Sequence, residues 1–156
     1  MTKVLFVCLG NVCRSAMANA IFRRLVKQAG VQNQYQIDSA GTSDEEQGHY
    51  PNPHVRKILS QHGYDWRYLH ARKITPRDYK WADYIIGMDT QNVADLKINA
   101  PLGCRSKIHL CLNILPDHHG QEIPDPWYTH KFSYTYNVLV KVLPVWLRYF
   151  QKHSKN

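Results

Sequence analysis

Apolar runs alternate with amphipathic stretches along this chain, and the alternation predicts strands that are followed by helices. Residues 4–7 form an uninterrupted apolar run, which is typical of a strand buried on both faces of a parallel sheet. From residue 16 to residue 29 the apolar side chains recur at helical spacing, and Gly30 ends that pattern. Ser15 stands just before this helix and is predicted to cap its N-terminus.

The same alternation continues to the end of the chain. Further strands are predicted at residues 35–39, 82–88 and 107–112. Helices are predicted at residues 54–62, 90–96 and 132–151, and a short one is predicted to start after Thr75 as N-cap, whereas residues 43–53 and 124–128 read as loops. Pro144 lies inside the last helix and is expected to kink or divide it. This order predicts an α/β fold, in which a parallel sheet is covered on both faces and binds ligands at the carboxyl ends of its strands.

Length and composition favour one folded domain. The 156 residues predict a single domain over residues 1–156, and the hydrophobic fraction of 44% indicates a packed core. No apolar run approaches the roughly 20 residues that span a bilayer, and the N-terminal segment reads as a strand rather than a signal peptide. Without a spanning run we expect no membrane partner. The four cysteines do not make a disulfide scaffold and no export signal is recognised, so we expect a reducing cytoplasm.

The net charge of +8 raises the question of nucleic-acid binding. The basic residues are spread along the chain, without a basic run interleaved with aromatic residues, so we predict no nucleic-acid partner. A solvated basic surface that steers anionic substrates is the expected use of this charge. The nine histidines show no zinc-binding spacing, and neither a metal nor another cofactor is predicted.

The candidate chemistry lies in the loop after the first predicted strand. Cys8 ends that strand and Arg14 follows six positions later, with a short loop between them: Leu9, Gly10, Asn11, Val12 and Cys13. Successive backbone N–H groups of such a loop converge on an anion, the next helix points its positive end at it, and an arginine can grip two of its oxygens. The same positive field stabilises a thiolate at Cys8. The loop therefore predicts a sulfur nucleophile that attacks phosphorus.

Over residues 4–23 the chain resembles the low-molecular-weight protein tyrosine phosphatases. Shorter matches follow at residues 37–43, 71–75, 88–89 and 125–128, so that the resemblance covers essentially the whole chain. It implies a flavodoxin-like parallel sheet of four strands in the order 2-1-3-4, with helices on both faces. It also implies a phosphotyrosine phosphatase without a cofactor, acting on a phosphorylated protein or another aryl phosphate; the oligomeric state stays open.

The resemblance implies a role for each of three residues in a two-step reaction. Cys8 resembles the nucleophile, and Arg14 resembles the ligand of the phosphoryl oxygens. Asp125 resembles the general acid that protonates the leaving phenol and then returns as the base that activates water. The implied intermediate is a phosphocysteine, which splits one difficult displacement into two easier ones.

Other positions are matched to the support of the loop. Asn11 resembles the asparagine that holds the unusual backbone conformation of the loop, with Ser39 as its hydrogen-bond partner. Ser15 resembles the hydroxyl that donates to the Cys8 thiolate. Cys13 is either a small filler of the loop or, as the paired cysteines of the family imply, the partner of Cys8 in a reversible protective disulfide.

Two walls of the substrate cleft are expected from the same comparison. Trp127 resembles the aromatic residue of one wall. Glu45, counted without gaps from Ser39, takes the place of an aromatic residue on the opposite wall, and with Glu46 it would repel acidic phosphopeptides. Either His49 or Tyr50 would then supply the missing ring.

Three alternative functions stay open at this point. The first is a protein arginine phosphatase, although such members tend to carry Thr where this chain has the aliphatic Val12. The second is an arsenate reductase of the same fold, because the spacing of Cys104 and Cys111 is similar to the redox cysteine pair of those enzymes. That pair, however, sits nearer the end of the third strand, whereas Cys111 is predicted within the fourth strand as a core residue. The third is a non-catalytic phospho-ligand binding module.

Overall fold

Four parallel strands form the centre of the molecule, as seen in a computed structural model that describes residues 1–154. The strands are β1 (Thr2–Cys8), β2 (Tyr35–Gly41), β3 (Tyr84–Gly87) and β4 (Ile108–Leu110). They are arranged in the order β2-β1-β3-β4, and all three pairings are parallel. The predicted α/β fold and strand order are therefore confirmed.

Within the described residues 1–154, six α-helices connect and cover these strands. They are α1 (Arg14–Gln28), α2 (Pro53–Gln61), α3 (Pro76–Trp81), α4 (Thr90–Asn99), α5 (Pro126–Thr129) and α6 (Phe132–Lys152), and short 3₁₀ turns lie at Gln32–Gln34, Arg105–Lys107 and Cys111–Ile114. The prediction of a loop at residues 124–128 is wrong from residue 126 onward, because Pro126–Thr129 form the short helix α5. The predicted start of α3 is confirmed, because Thr75 and Asp78 form a reciprocal capping box there.

The alternation of side chains along β1 explains why helices cover both faces of the sheet. Val4 and Phe6 pack into a large core with buried residues of α1, α2 and α6. Leu5 and Val7 point to the opposite face, where they pack with buried residues of α3 and α4. Because both sets are fully buried, the strand reads as a continuous apolar run rather than an alternating one.

The cap predicted for the first helix is wrong, and the predicted division of the last helix does not occur. Ser15 does not cap α1, because that helix begins at Arg14, two residues before its predicted start, and the residue at the N-cap position, Cys13, makes no side-chain capping bond. Pro144 does not divide α6, which runs unbroken from Phe132 to Lys152 and is held by its buried apolar face. Among the described residues, no helix is both long and apolar enough to cross a membrane.

The strand register gathers the candidate residues at one edge. Cys8 pairs with Gly41 at the end of β2, and Val7 pairs with Gly87 at the end of β3. The loop after Cys8 therefore starts at the carboxyl edge of the sheet, where ligands of open α/β sheets bind.

Candidate active site

The loop between β1 and α1 is a tightly supported turn. The backbone N–H groups of Thr42 and Ser43 donate to the carbonyl oxygens of Cys8 and Leu9, at 2.9 and 3.0 Å. The approach is so close that a Cβ atom at Gly41 would lie 2.7 Å from the Leu9 carbonyl oxygen. The end of β2 thus fixes the path of the loop, and glycine is needed there because backbone atoms fill the space of a side chain.

Asn11 holds the middle of the loop in a left-handed conformation, with φ of 60°. Its side-chain Nδ2 donates to Ser15 Oγ at 2.7 Å, and its Oδ1 accepts from the backbone N–H of Arg72 at 3.2 Å. The predicted hydrogen bond between Asn11 and Ser39 is absent among the described contacts. Ser39 instead accepts a hydrogen bond from the side chain of Asn19 at 3.0 Å, so it binds to α1 rather than to Asn11 of the loop.

The Cys8 thiol lies at the bottom of this loop and is 3% exposed. Ser15 Oγ is 3.0 Å from Cys8 Sγ, and the Ser15 backbone N–H donates to the same sulfur at 3.5 Å. Both groups belong to the first turn of α1, whose positive end faces the sulfur. The sulfur therefore lies next to a hydroxyl and an N–H group from the start of a helix.

Arg14 is the most enclosed charged side chain of the site, with 1% exposure. Its NH1 donates to Asp89 Oδ2 at 2.6 Å and to the carbonyl oxygen of Ile123 at 2.9 Å, and its NH2 lies 3.4 Å from Asp125 Oδ2. Nε is buried and has no hydrogen-bond partner among the described residues, which leaves it available to an anion in the loop.

The charges around Arg14 keep it protonated. Burial alone would lower the pKa of its guanidinium, but the Cys8 sulfur and the hydrogen bond to Asp89 raise it above its ordinary value. Asp89 is itself fixed by a second bond, since its other oxygen, Oδ1, accepts from the Asn92 backbone N–H and caps α4. The sequence comparison matched Asp89 without assigning it a role; its place directly after β3, at the carboxyl edge, is the signal that could have found it.

Asp125 reaches the same space from the segment before α5. Its Oδ1 accepts from the Trp127 backbone N–H at 3.0 Å, which caps that short helix and orients the carboxyl group. The segment is fastened to the sheet edge by a backbone bond from Ile123 to Met88 at 3.0 Å. Glu122 adds a second attachment, because it accepts from both the backbone N–H and the hydroxyl of Thr90.

A cleft of about 540 Å³ opens beside the loop. Its lining includes Val12 and Trp127, as well as a segment of the loop after β2 and part of α2: Glu46, Gly48, His49, Tyr50, Pro51, Asn52, Pro53 and Arg56. The structure does not bring Glu45 into this lining, because that side chain is exposed, whereas Glu46 is half-buried and accepts from His49 at 2.7 Å. Glu46, rather than Glu45, therefore lines the cleft.

Two of the other cysteines, Cys13 and Cys111, are buried thiols whose pKa is raised. Burial raises the pKa of the Cys13 thiol and the nearby Cys8 raises it further, so Cys13 stays protonated. Cys111 is a fully buried core residue, as predicted, and burial raises its pKa to about 12. It lies in the 3₁₀ turn after β4, however, and not within the strand. All four cysteines are free thiols, and no cluster of metal-ligating side chains occurs within residues 1–154.

Comparison with known proteins shows the family of this chain. The family model for low molecular weight phosphotyrosine protein phosphatase matches residues 3–156. The chain is 39% identical over 133 residues to the low molecular weight protein-tyrosine-phosphatase YfkJ of Bacillus subtilis, covering 85% of each chain. It is 38% identical to the low molecular weight phosphotyrosine protein phosphatase of Gallus gallus, covering 93% of each.

Solved structures agree with the sequence comparison. The crystal structure of YfkJ from Bacillus subtilis superposes with a TM-score of 0.95 at 35% identity, covering 99% of this chain and 98% of that one. A Drosophila arginine phosphatase superposes with a TM-score of 0.88 at 30% identity, covering 99% and 100%. The fold is thus shared by proteins named for two different phosphorylated residues.

Proposed function

This chain belongs to the low molecular weight phosphotyrosine protein phosphatase family, and we propose that it hydrolyses phosphotyrosine in proteins, and other aryl phosphates, through a phosphocysteine. The observation that carries the proposal is the convergence of three groups at the carboxyl edge of the sheet. The Cys8 sulfur lies under the loop, Arg14 closes its side, and Asp125 lies 3.4 Å from Arg14 at its mouth.

In the first step, the Cys8 thiolate attacks phosphorus and the bond from phosphorus to the phenolic oxygen breaks. Asp125 transfers its proton to that oxygen, so the product leaves as a neutral phenol. Arg14 and the backbone N–H groups of Leu9, Gly10, Asn11, Val12 and Cys13 neutralise the phosphoryl oxygens, which is the main demand of phosphoryl transfer. Because these donors supply the positive charge, the proposal includes neither a metal nor a cofactor.

In the second step, water attacks the phosphocysteine and the bond from phosphorus to sulfur breaks. Asp125, now ionised, accepts a proton from the water, and inorganic phosphate is formed. Cys8 leaves as a thiolate, and the Ser15 hydroxyl 3.0 Å away donates to the negative sulfur. The enzyme is thereby returned to its starting state.

The cleft walls support a tyrosine substrate. Val12 and Trp127 offer an aliphatic and an aromatic surface to a phenyl ring, and Trp127 is half exposed in the free protein. Glu46, and not Glu45, lines the cleft. Its carboxylate disfavours acidic residues next to the phosphotyrosine on that side of the cleft. A protein arginine phosphatase is the second candidate, because the Drosophila arginine phosphatase shares this fold.

Two broader assignments belong to the same proposal. We assign residues 1–156 to a single phosphatase domain, since the two described cores lie on the two faces of one sheet. We also assign the protein to a reducing compartment such as the cytoplasm, because the proposed nucleophile must remain a free thiol.

A substrate panel tests the proposal. Wild-type protein and Cys8→Ser are assayed with p-nitrophenyl phosphate, with peptides that contain phosphotyrosine, phosphoserine or phosphoarginine, and for arsenate reduction. We expect wild type to hydrolyse p-nitrophenyl phosphate and the phosphotyrosine peptide, and Cys8→Ser to hydrolyse neither. Faster turnover of the phosphoarginine peptide would favour the second candidate, and phosphate binding without turnover by wild type would favour a binding module.

A further inference from the structure

The cleft beside the loop has charges of opposite sign on different parts of its lining. Glu46 comes from the segment after β2, and its carboxylate accepts from His49 at 2.7 Å. Arg56 comes from α2 and lines the same cleft as Trp127. A substrate that enters this cleft therefore meets an acidic group from one element and a basic group from another.

Arg56 is held in place without a carboxylate. Its guanidinium lies over the Trp66 ring at 5.2 Å, and its buried Nε has no hydrogen-bond partner among the described residues. The start of α2 is itself tied to the catalytic loop, since the Asn52 backbone N–H donates to the Val12 carbonyl oxygen at 2.9 Å. The unpaired cation is thus fixed relative to the loop that would hold the phosphoryl group.

A second groove, of about 490 Å³, lies between α2 and the start of α6. Its lining carries basic side chains and no acidic residue, and it includes His54, Lys57, His130, Lys131, Phe132 and Tyr134. His54 stacks on Phe132 with ring centroids 4.7 Å apart, which joins the two helices across the groove. Tyr134 is half exposed beside it.

The two grooves are neighbours along the same elements. Pro53 and Arg56 line the cleft, while the adjacent residues His54 and Lys57 line the second groove. On the other side, α5 carries Trp127 of the cleft and is followed directly by the groove residues at 130 and 131. Within residues 1–154 no ion pair engages Arg56, Lys57 or Lys131.

We propose that Arg56, Lys57 and Lys131 form a cationic track that binds acidic side chains next to phosphotyrosine in a substrate protein. The inference rests on the proposed function, because it assumes that a phosphotyrosine occupies the loop. An extended peptide advances about 3.3 Å per residue. The track begins at Arg56 in the cleft that would hold the ring and continues at Lys57 and Lys131 in the adjoining groove, so the flanking residues are placed along these two grooves. Glu46 opposes acidic side chains on its own side, so the preference depends on which flank carries them.

Matched phosphotyrosine peptides test the track. One peptide carries Glu residues on the N-terminal side of phosphotyrosine, one carries them on the C-terminal side, and one carries Gln at all of these positions. For wild type we expect kcat/KM for one acidic peptide to exceed that for the Gln peptide by about tenfold, mainly through KM, because exposed charge pairs chiefly assist association. The ratio should fall as salt is added.

Charge reversal on the track gives the decisive comparison. Lys57→Glu with Lys131→Glu should abolish the preference, and both side chains are exposed, so the variant is expected to fold. Lys80→Glu is the control for a charge reversal away from both grooves: Lys80 is exposed on α3, and its carbonyl oxygen accepts from Lys107. This control should keep the wild-type ratio.

Turnover of p-nitrophenyl phosphate separates this inference from the proposed function. Wild type and both variants should hydrolyse it equally, since it has no flanking residues; loss of turnover in wild type would refute the phosphatase itself. An unchanged peptide ratio in the double variant, or an equal change in Lys80→Glu, would overturn the track. So would charge-dependent binding to anionic lipid vesicles without any peptide preference.

Discussion

The side-chain amide of Asn11 donates a hydrogen bond to Ser15 Oγ at 2.7 Å. Because this bond occupies the serine oxygen as an acceptor, the hydroxyl proton is left to point elsewhere, and Cys8 Sγ at 3.0 Å is nearer than the Ala40 carbonyl oxygen at 3.5 Å. The residue that sets the loop conformation, with φ of 60°, therefore also directs a proton to the sulfur. Loop shape and thiolate stabilisation are coupled through one hydroxyl.

Ser15→Ala is expected to slow the second chemical step. The variant removes a hydrogen bond to a charged sulfur, and such bonds are worth about 1.5–3 kcal/mol. We predict that kcat for p-nitrophenyl phosphate falls about 10–100-fold, because the thiolate becomes a poorer leaving group. Rapid mixing should still show a burst of p-nitrophenol before the slow steady state. An unchanged kcat would contradict the assigned role of the hydroxyl.

Asp125→Asn is expected to make turnover depend strongly on the leaving group. The amide cannot donate the proton that a departing phenolate needs, and general acid catalysis contributes about 10²–10⁴-fold. We predict that kcat/KM falls by this factor for phenyl phosphate and much less for aryl phosphates whose phenols are strong acids. Plots of log kcat/KM against the phenol pKa check this: parallel lines for wild type and variant would refute Asp125 as the general acid.

Gly41→Ala is expected to displace the catalytic loop. The new Cβ would lie 2.7 Å from the Leu9 carbonyl oxygen, and neither backbone can yield without moving the loop. Overpacking of this kind costs about 1–3 kcal/mol of unfolding free energy, and we predict that kcat/KM falls with it.

Gly120→Ala separates loop displacement from simple instability. Gly120 has φ of 78° and open space around it, so alanine there costs about 1 kcal/mol of backbone strain without contact with the loop. This control should lose stability, measured by urea denaturation, and keep its kcat/KM. Equal losses of kcat/KM in both variants would contradict the role assigned to Gly41.

The pair between Arg72 and Asp78 should make stability depend on pH at the acidic end. Burial alone would raise the pKa of Asp78, but hydrogen bonds from Arg72 and Thr75 outweigh it and hold that pKa below its ordinary value. The contribution of the ionised Asp78 carboxylate to the unfolding free energy is therefore fully present above the pKa of the unfolded state, about 3.9. It is lost as the pH falls through the lower pKa of the folded state.

Asp78→Asn tests this dependence. We predict that it lowers the unfolding free energy by about 1–3 kcal/mol at pH 7 and that its difference from wild type shrinks below about pH 4. The matched control is Asp65→Asn, which breaks the exposed pair with Arg67 and should change stability by well under 1 kcal/mol. A difference that stays constant down to pH 2 would argue against an ionic cause.

Much of the fold could be predicted because the apolar pattern directly reflects burial. The run at residues 4–7 is buried on both faces of the sheet, and the helical spacing of residues 16–29 matches the face of α1 against the core. The nucleophile loop was also visible, since a cysteine and an arginine around a short turn after a strand form a local motif.

Contacts between distant segments could not be predicted in the same way. Counting without gaps chose Glu45, whereas the turn after β2 brings Glu46 to the cleft, because a one-residue difference in a turn changes which side chain points inward. The assignment of Ser39 to Asn11 failed for a similar reason, since Asn19 of α1 occupies the serine hydroxyl. Such choices depend on tertiary packing rather than on local pattern.

The central claim is that Cys8 carries the phosphoryl group during turnover. The most direct measurement is a rapid acid quench of the protein with an aryl phosphate, followed by mass spectrometry of the peptide that contains residues 1–14. We predict one added phosphoryl group on Cys8 in wild type, a larger labelled fraction in Ser15→Ala, and none in Cys8→Ser. Turnover in Cys8→Ser, or a quenched wild-type enzyme whose Cys8 carries no phosphoryl group while product forms, would contradict the mechanism.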